Sequence, residues 1–115
     1  MKFVLIVRTN HLNNSYSALK FAQTALQLEH ELECIYFLFD GAYCANQQID
    51  MPSDEYSLAK DWSDLAASYN LTLGVCAASS TRRGIAPNNF APGFAPASLG
   101  QLVASCDLAD RVVCL

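Results

Sequence analysis

Short apolar runs, rich in β-branched and aromatic residues, alternate along this chain with segments of helical periodicity. The apolar runs at residues 2–8 (KFVLIVR), 32–39 (LECIYFLF) and 71–76 (LTLGVC) predict three buried strands. Between them, apolar residues recur at the spacing of amphipathic helices over residues 15–29 and 54–69. Strands that alternate with helices in this way are typical of a parallel sheet with helices on both faces.

The last third of the chain continues this alternation with shorter elements. The pattern predicts a short helical turn near residues 77–82 and a very short fourth strand around Gly93–Ala95. A capping box at Ser98-Leu99-Gly100-Gln101 predicts the start of a last helix, and residues 110–115 (DRVVCL) predict a closing strand. We therefore expect residues 1–115 to form one α/β domain. Its core would be a three-layer, open, mainly parallel sheet of about five strands, with helices on both faces and flavodoxin-like topology.

Charged residues are scarce in this sequence. They make up 16% of the chain, against about 25% in an average globular domain. Since subunit interfaces are depleted of charge, we expect other subunits to cover part of the surface; the alternative is a small domain that is simply apolar. The net charge is −4, and of the seven basic residues only Arg82 and Arg83 are adjacent. This distribution argues against direct binding of nucleic acid.

The apolar runs are also too short for targeting or membrane insertion. Residues 3–7 and 34–39 are the longest of them, whereas a secretory signal needs about 7–15 apolar residues and a membrane span about 18. We therefore expect a cytoplasmic protein. Its five cysteines are odd in number and form no C-x-x-C pair. Reduced thiols are expected, not a disulfide framework or a zinc site.

Cys76 is the cysteine whose position best suits chemistry. In open parallel sheets, sites form at the carboxyl ends of the strands, and Cys76 is the one cysteine predicted to terminate a strand at that edge. Cys34, Cys106 and Cys114 are expected to be buried, inert thiols within helices or strands. Cys44 lies in a predicted loop, where reactivity stays open.

The neighbours of Cys76 suggest how a thiolate would be stabilised. A helical turn after it would offer backbone N–H groups, and Arg82 or Arg83 would offer positive charge; alternatively, the arginines are a solvated surface pair. His30 is expected to interact with a helix dipole, whereas His11 lies on the same edge as Cys76. A Cys–His hydrolase would need a third, orienting group, and none is evident. The sequence has no cofactor-binding motif and no clear metal-binding cluster, so neither a cofactor nor a metal is expected.

A set of short segments, in fixed order and spacing, gives the chain a family resemblance. They are KFVLIV, Asp40-Gly41-Ala42-Tyr43-Cys44-Ala45-Asn46-Gln47, Pro52-Ser53-Asp54-Glu55, Cys76-Ala77-Ala78, Arg82-Arg83-Gly84, Gly93-Phe94, Leu99-Gly100-Gln101-Leu102, and Cys106 followed by Asp110-Arg111-Val112-Val113. Each segment alone is weak evidence, but together they are fairly specific. With them the chain resembles the DsrE/TusD family of sulfur-relay proteins over essentially its whole length, most closely the TusD branch.

The resemblance implies a DsrE-like fold and a sulfurtransferase. In the family, the cysteine at the end of the third strand accepts a sulfane sulfur as a persulfide and passes it to a partner cysteine. Here that residue is Cys76. The family motif puts Tyr43, Asn46 and Gln47 beside the pocket. A persulfide anion would be kept in its charged form by Arg82, Arg83 or a helix N-terminus.

The resemblance also implies partners. Proteins of the TusD type work with homologous subunits of the TusB and TusC types, as a dimer of heterotrimers. They take sulfur from a donor of the TusA type and pass it to an acceptor of the TusE type, for 2-thiouridine formation at tRNA wobble positions. Direct contact of this chain with nucleic acid or membrane is not expected.

The sequence departs from the family pattern at three places. Thr9–Asn14 lacks a Gly-Pro character, Ser79-Ser80-Thr81 stand where alanine and leucine are more usual, and residues 85–97 are shortened. Three other functions stay open. They are a DsrE-type subunit of a sulfur-oxidation complex, a non-catalytic scaffold subunit of such a complex, and a flavodoxin-like binder of a small anion at the Arg82–Arg83 edge.

Overall fold

The computed structural model of the chain describes residues 1–9, 12–47 and 58–115, and their side chains except those of residues 12–15. His11 and the Pro52–Glu55 helix start lie outside these ranges. The strands are β1 (Lys2–Val7), β2 (Glu31–Phe37), β3 (Leu73–Cys76), β4 (Phe94–Ala97) and β5 (Arg111–Cys114). The α-helices are α1 (Leu12–Gln27), α2 (Leu58–Tyr69), α3 (Ala77–Arg82) and α4 (Leu99–Leu108). Two 3₁₀ segments cover Phe39–Ala45 and Pro87–Asn89.

The five strands form one sheet in the order β4-β3-β2-β1-β5, and every neighbouring pair is parallel. The predicted open, parallel α/β sheet is thereby confirmed. In flavodoxin itself the order is 2-1-3-4-5, whereas here β1 lies between β2 and β5. All carboxyl ends share one edge, which brings the end of β3 beside the ends of β2 and β4.

Two clusters of buried side chains cover the two faces of the sheet. One face packs against α1 and α2, with Phe37 in edge contact with Trp62 at a ring-centroid distance of 5.1 Å. The other face packs against α4, through Val4, Tyr36, Cys76 and Leu102. The three-layer arrangement follows from alternation along each strand, because successive side chains point to opposite faces. Cys76 therefore belongs to the α4 face of the sheet.

The helices and strands near the site match the predicted pattern closely. The turn predicted for residues 77–82 is α3, and the capping box is present: Ser98 N–H donates to Gln101 Oε1 at 2.7 Å, and Gln101 N–H donates to Ser98 Oγ at 3.2 Å. The fourth strand lies slightly later than predicted, at Phe94–Ala97. β2 ends earlier than predicted, because Leu38 N–H bonds to the carbonyl of Val7 and the backbone turns at Phe39, where φ is +54°.

The expectation that Cys34, Cys106 and Cys114 are all buried is wrong. Cys114 is exposed, not buried, because β5 is an edge strand and most of its residues face solvent. Cys34 and Cys106 are half-buried and pack against the cluster that contains Cys76. In the described part of the chain, no helix combines the length and apolarity needed to cross a membrane.

Candidate functional site: the thiol of Cys76

Cys76 is at once the last residue of β3 and the N-cap of α3. Its side chain is 5% exposed, at the edge where the strands end. As a thiol it makes no capping hydrogen bond of ordinary geometry to α3. A thiolate here would face the N–H groups that a helix leaves free in its first turn. The position therefore favours the anionic form of the sulfur.

The pKa of Cys76 reflects a balance of burial and hydrogen bonding. Burial is the largest single influence and raises the pKa. The hydrogen bonds that a thiolate would accept from the side chain and backbone of Ser79, the side chain of Tyr36 and the backbone of Ala78 together outweigh it. The pKa of Cys76 is consequently lowered from the ordinary value of a thiol. A larger fraction of the protein carries the nucleophilic thiolate at neutral pH.

Ser79 is a functional candidate that the sequence pattern did not single out. Its side chain is 2% exposed, and Oγ accepts a hydrogen bond from the backbone N–H of Phe39 at 2.9 Å. Ser79 is the third residue after the N-cap Cys76, and side chains at this helical position commonly reach back toward the cap. The departure from alanine and leucine after Cys76 is the sequence signal that could have found it.

Tyr36 is the second residue that sequence reasoning missed. Its ring is fully buried on the α4 face, and its hydroxyl donates to the carbonyl of Ala97 at 3.1 Å. Ala97 is the register partner of Cys76 across β3 and β4. The side chain of Tyr36 passes over Gly74 of β3 to reach Ala97 of β4. The missing side chain of Gly74 leaves room for it, because a β-carbon there would lie 3.2 Å from that of Ala97 and 3.4 Å from the ring of Tyr36.

The two arginines differ in their surroundings. Arg83 binds Asp40 through Nη2 at 2.8 Å, donates to the carbonyl of Ser79 at 3.1 Å, and lies 5.9 Å from the ring centroid of Tyr43. Arg82 is exposed at the last residue of α3. Arg83 thus fastens α3 to the 3₁₀ segment, and through that segment it fixes Tyr43. That either guanidinium stabilises a sulfur anion stays a prediction.

Asn46 and Gln47 lie where the chain leaves the 3₁₀ segment. Asn46 forms an antiparallel bridge with Phe90, and Gln47 N–H donates to the carbonyl of Asn89 at 3.1 Å. Their backbone thus joins this segment to the residues that precede β4, and their role beside the pocket stays a prediction. Cys44 lies within the 3₁₀ segment, is 4% exposed, and its sulfur donates to the carbonyl of Thr9 at 3.8 Å.

Metal ligation has no obvious place in this arrangement. Within residues 1–9, 12–47 and 58–115, no three His, Cys, Asp or Glu side chains come close enough together to hold a metal ion. The described polar groups near Cys76 are the hydroxyls of Ser79 and Tyr36 and the backbone N–H groups of α3. They suit a sulfur nucleophile and an anionic sulfur cargo.

Comparison with known proteins identifies the family. The model of the DsrE/DsrF-like family matches residues 1–115. The chain belongs to this family. It is 33% identical, over 126 aligned positions, to the sulfurtransferase TusD homolog of Haemophilus influenzae (strain ATCC 51907 / DSM 11121 / KW20 / Rd), and the match covers 100% of each protein. The resemblance inferred from the sequence segments is thereby confirmed.

A solved structure supports the same fold. The crystal structure of the ychN protein from E. coli matches this chain with a TM-score of 0.84, covering 100% of both chains at 18% sequence identity. At that level of identity, the likeness speaks for the architecture alone. The DsrE-like sheet predicted for the chain is the one that it has.

The 3₁₀ segment depends on a close backbone approach at Gly41. A β-carbon on Gly41 would lie within the van der Waals radius of the Val7 carbonyl oxygen and 2.8 Å from its carbonyl carbon. Gly41→Ala should therefore lower the free energy of unfolding by at least about 2 kcal/mol, as overpacking against rigid backbone does. Gly100→Ala is the matched control, because a β-carbon there meets only Ser98 Oγ, at 3.7 Å. Urea denaturation of both variants measures the difference; equal stability of the two would contradict the close approach.

Proposed function

We propose that this chain is a sulfur-relay sulfurtransferase that carries sulfane sulfur as a persulfide on Cys76. The observation that carries the proposal is the position of Cys76 at the end of β3 and at the N-cap of α3, and the lowered pKa of its thiol supports it. Sulfurtransferase activity is supported by the full-length relationship to a curated sulfurtransferase of the same family. The single domain of residues 1–115 would carry the whole site.

The proposed reaction is two successive exchanges at sulfur. In loading, the Cys76 thiolate attacks the outer sulfur of a donor persulfide; the new S–S bond forms as the donor S–S bond breaks, and the donor thiolate leaves with the bonding pair. In release, an acceptor thiolate attacks the outer sulfur on Cys76, and the Cys76 thiolate leaves. The sulfur atom moves with no net oxidation in either step. Tyr43, Asn46, Gln47, Arg82 and Arg83 are proposed to shape the pocket around the cargo sulfur.

Intact mass spectrometry tests the carrier. Wild-type protein, incubated with a persulfide-loaded donor or with a cysteine desulfurase and cysteine, should gain one sulfur atom, about 32 Da, that a reductant removes. Cys76→Ser should gain none, because the nucleophilic thiolate is gone. Cys114→Ser is the matched control, since it removes an exposed thiol at the end of β5, three strands away from β3 in the sheet, and should load like wild type.

The cysteine variants separate the alternatives. No gain on wild type, with partner subunits present, would contradict the relay and favour a non-catalytic scaffold subunit. A gain that survives in Cys76→Ser would move the chemistry to another cysteine, with Cys44 first to be tested.

The sulfur is proposed to serve 2-thiouridine formation at tRNA wobble positions. Donor and acceptor would be proteins of the TusA and TusE types in the cytoplasm. The net charge of −4 fits a relay component that does not itself bind tRNA. The same chemistry would serve a DsrE-type subunit of a sulfur-oxidation complex, so the destination needs its own test.

Cells that lack this chain provide that test. Nucleoside mass spectrometry of their tRNA should show loss of wobble 2-thiouridine, restored by the wild-type and Cys114→Ser chains but not by Cys76→Ser. The reason is that only the first two keep the carrier thiol. Unchanged 2-thiouridine in the deletion strain, accompanied by impaired sulfur oxidation, would favour the DsrE-type role instead.

Assembly with homologous subunits of the TusB and TusC types, as a dimer of heterotrimers, is also proposed. Large apolar side chains are exposed on successive elements at the α4 side: Leu99, Val103, Leu108 and Val112. α4 contains only one charged residue, Asp107. Subunit interfaces are depleted of charge in this way, so this surface is the proposed contact.

Val103→Glu tests the contact. Val103 is 60% exposed in the single chain, so a glutamate should leave the fold intact but weaken assembly at least about tenfold, because an unpaired charge would be buried. Size-exclusion chromatography with light scattering, on chains co-expressed with the homologous subunits, measures the loss. Ala67→Glu, on the exposed side of α2, is the control and should assemble normally. Normal assembly of Val103→Glu would exclude α4 as the contact.

A further inference from the structure

Two buried hydroxyl groups pack near Cys76, and neither belongs to the sequence segments that carry the family resemblance. One is on Ser79, the third residue of α3 after the N-cap Cys76. The other is on Tyr36, which shares the buried cluster of Cys76 and bonds to Ala97, the register partner of Cys76. We propose that both hydroxyls donate hydrogen bonds to the anionic sulfur of Cys76, and that Tyr36 does so by turning its proton away from the carbonyl of Ala97. They would then control how readily Cys76 releases sulfur as well as how readily it accepts it.

The hydroxyl of Ser79 has its proton available for the sulfur. Its oxygen accepts the backbone N–H of Phe39 at 2.9 Å, and a hydroxyl has one proton to give in addition to its acceptor lone pairs. The neighbouring Ser80 is equally buried, but its hydroxyl donates to the carbonyl of Ala77 at 3.0 Å. The same residue type at successive positions of one helix therefore has two different tasks.

The hydroxyl of Tyr36 has two acceptors and one proton. Opposite a neutral thiol, the carbonyl of Ala97 at 3.1 Å is the better acceptor. Opposite a thiolate the order reverses, because hydrogen bonds to charged groups are roughly twice as strong as those between neutral groups. Burial first, and then the hydrogen bond and charge of Cys76, raise the pKa of Tyr36. The phenol therefore keeps its proton and remains a donor.

Among the described residues of β2, α3, α4 and β4, the other ionisable groups offer no comparable donor. Cys34 on β2 is held in its thiol form, since burial raises its pKa, and Cys106 on α4 is half-buried in the same cluster. Arg83 is bound to Asp40, and Arg82 is exposed at the end of α3. The described residues of β4 are Phe, Ala, Pro and Ala, none of which ionises.

Hydrogen bonds to the sulfur have opposite effects on the two halves of a relay. A lowered pKa increases the thiolate fraction at neutral pH but reduces its intrinsic nucleophilicity, with a Brønsted coefficient of roughly 0.4–0.5. The same lowered pKa makes Cys76 a better leaving group when the acceptor attacks. The two hydroxyls would thus favour onward delivery of the sulfur. This consequence rests on the proposed persulfide chemistry, whereas the hydrogen bonds themselves do not.

The hydrogen bonds are tested on the free thiol, without any sulfur donor. The rate of iodoacetamide alkylation is measured against pH by mass spectrometry of the Cys76 peptide. The midpoint of this titration should rise by about one pH unit in each of the single variants Ser79→Ala and Tyr36→Phe. Removing a donor destabilises the thiolate, so the shift must be upward. Ser80→Ala is the matched control and should keep the wild-type midpoint. Circular dichroism verifies the folding of each variant, and Ser79→Ala tests the Ser79 hydrogen bond independently of Tyr36→Phe.

Unchanged midpoints in folded Ser79→Ala and Tyr36→Phe would overturn the proposal. An equal shift in Ser80→Ala would also do so, because a general loosening of α3 would then explain the effect.

The consequence for delivery is tested by timing both transfers above the midpoints of all variants. Loading of the Ser79→Ala variant should be as fast as wild type or up to about threefold faster, whereas release to an acceptor thiol should be slower. Slowing of both steps to the same extent would contradict the leaving-group effect. If wild type takes up no sulfur but the alkylation midpoints shift as expected, the proposed function fails while the hydrogen bonds stand.

Discussion

The hydrogen bond from the backbone N–H of Phe39 to Oγ of Ser79 joins the start of the 3₁₀ segment, just after β2, to the helix that begins at Cys76. Phe39 has φ of +54°, a conformation that is uncommon for a bulky residue and costs about 1–3 kcal/mol. Burial of Ser79 and the clamp of Arg83 on Asp40 help to hold the strand end in that conformation. The geometry around Cys76 thus depends on a junction between distant parts of the chain.

The two faces of the sheet differ in content: one carries the large aromatic core, and the other carries Cys76 and the hydroxyl of Tyr36. On the α1–α2 face, Phe37 packs against both Trp62 and Phe94 at centroid distances of 5.1 Å, which fixes β2 relative to its neighbours. On the α4 face of the same strand, Tyr36 crosses Gly74 to reach the carbonyl of Ala97. Because adjacent residues of a strand point to opposite faces, the large aromatic core and the hydroxyl beside the thiol are built from consecutive residues.

The sequence pattern was sufficient for the architecture and for the position of Cys76. Periodicity located the strands and α3, and the Ser98–Gln101 capping box located the start of α4. It did not reveal Ser79 or Tyr36, because each acts through a contact formed only when distant segments pack together. Nor did it predict that Cys114 is exposed, since burial of an edge strand depends on whether a helix covers it.

The arginine pair illustrates the difference between neighbours in sequence and neighbours in space. Arg82 and Arg83 follow Cys76 within two turns of helix and looked like equivalent sources of positive charge. Consecutive residues point in different directions around a helix axis. Arg83 returns to Asp40 and the carbonyl of Ser79, whereas Arg82 is exposed. Spacing along the sequence alone did not distinguish these environments.

In the proposed relay, burial of the Cys76 sulfur is compatible with transfer because the cargo sulfur would lie beyond it. A persulfide extends the side chain by one S–S bond, about 2 Å, so the atom that an acceptor attacks would not be the atom proposed to bond with Ser79 and Tyr36. The inner sulfur can keep its hydrogen-bonded surroundings at 5% exposure while the outer sulfur changes partners. In such a site, fixed hydrogen-bond donors would stabilise the Cys76 thiolate as it leaves. The acceptor thiolate would need to reach only the outer sulfur.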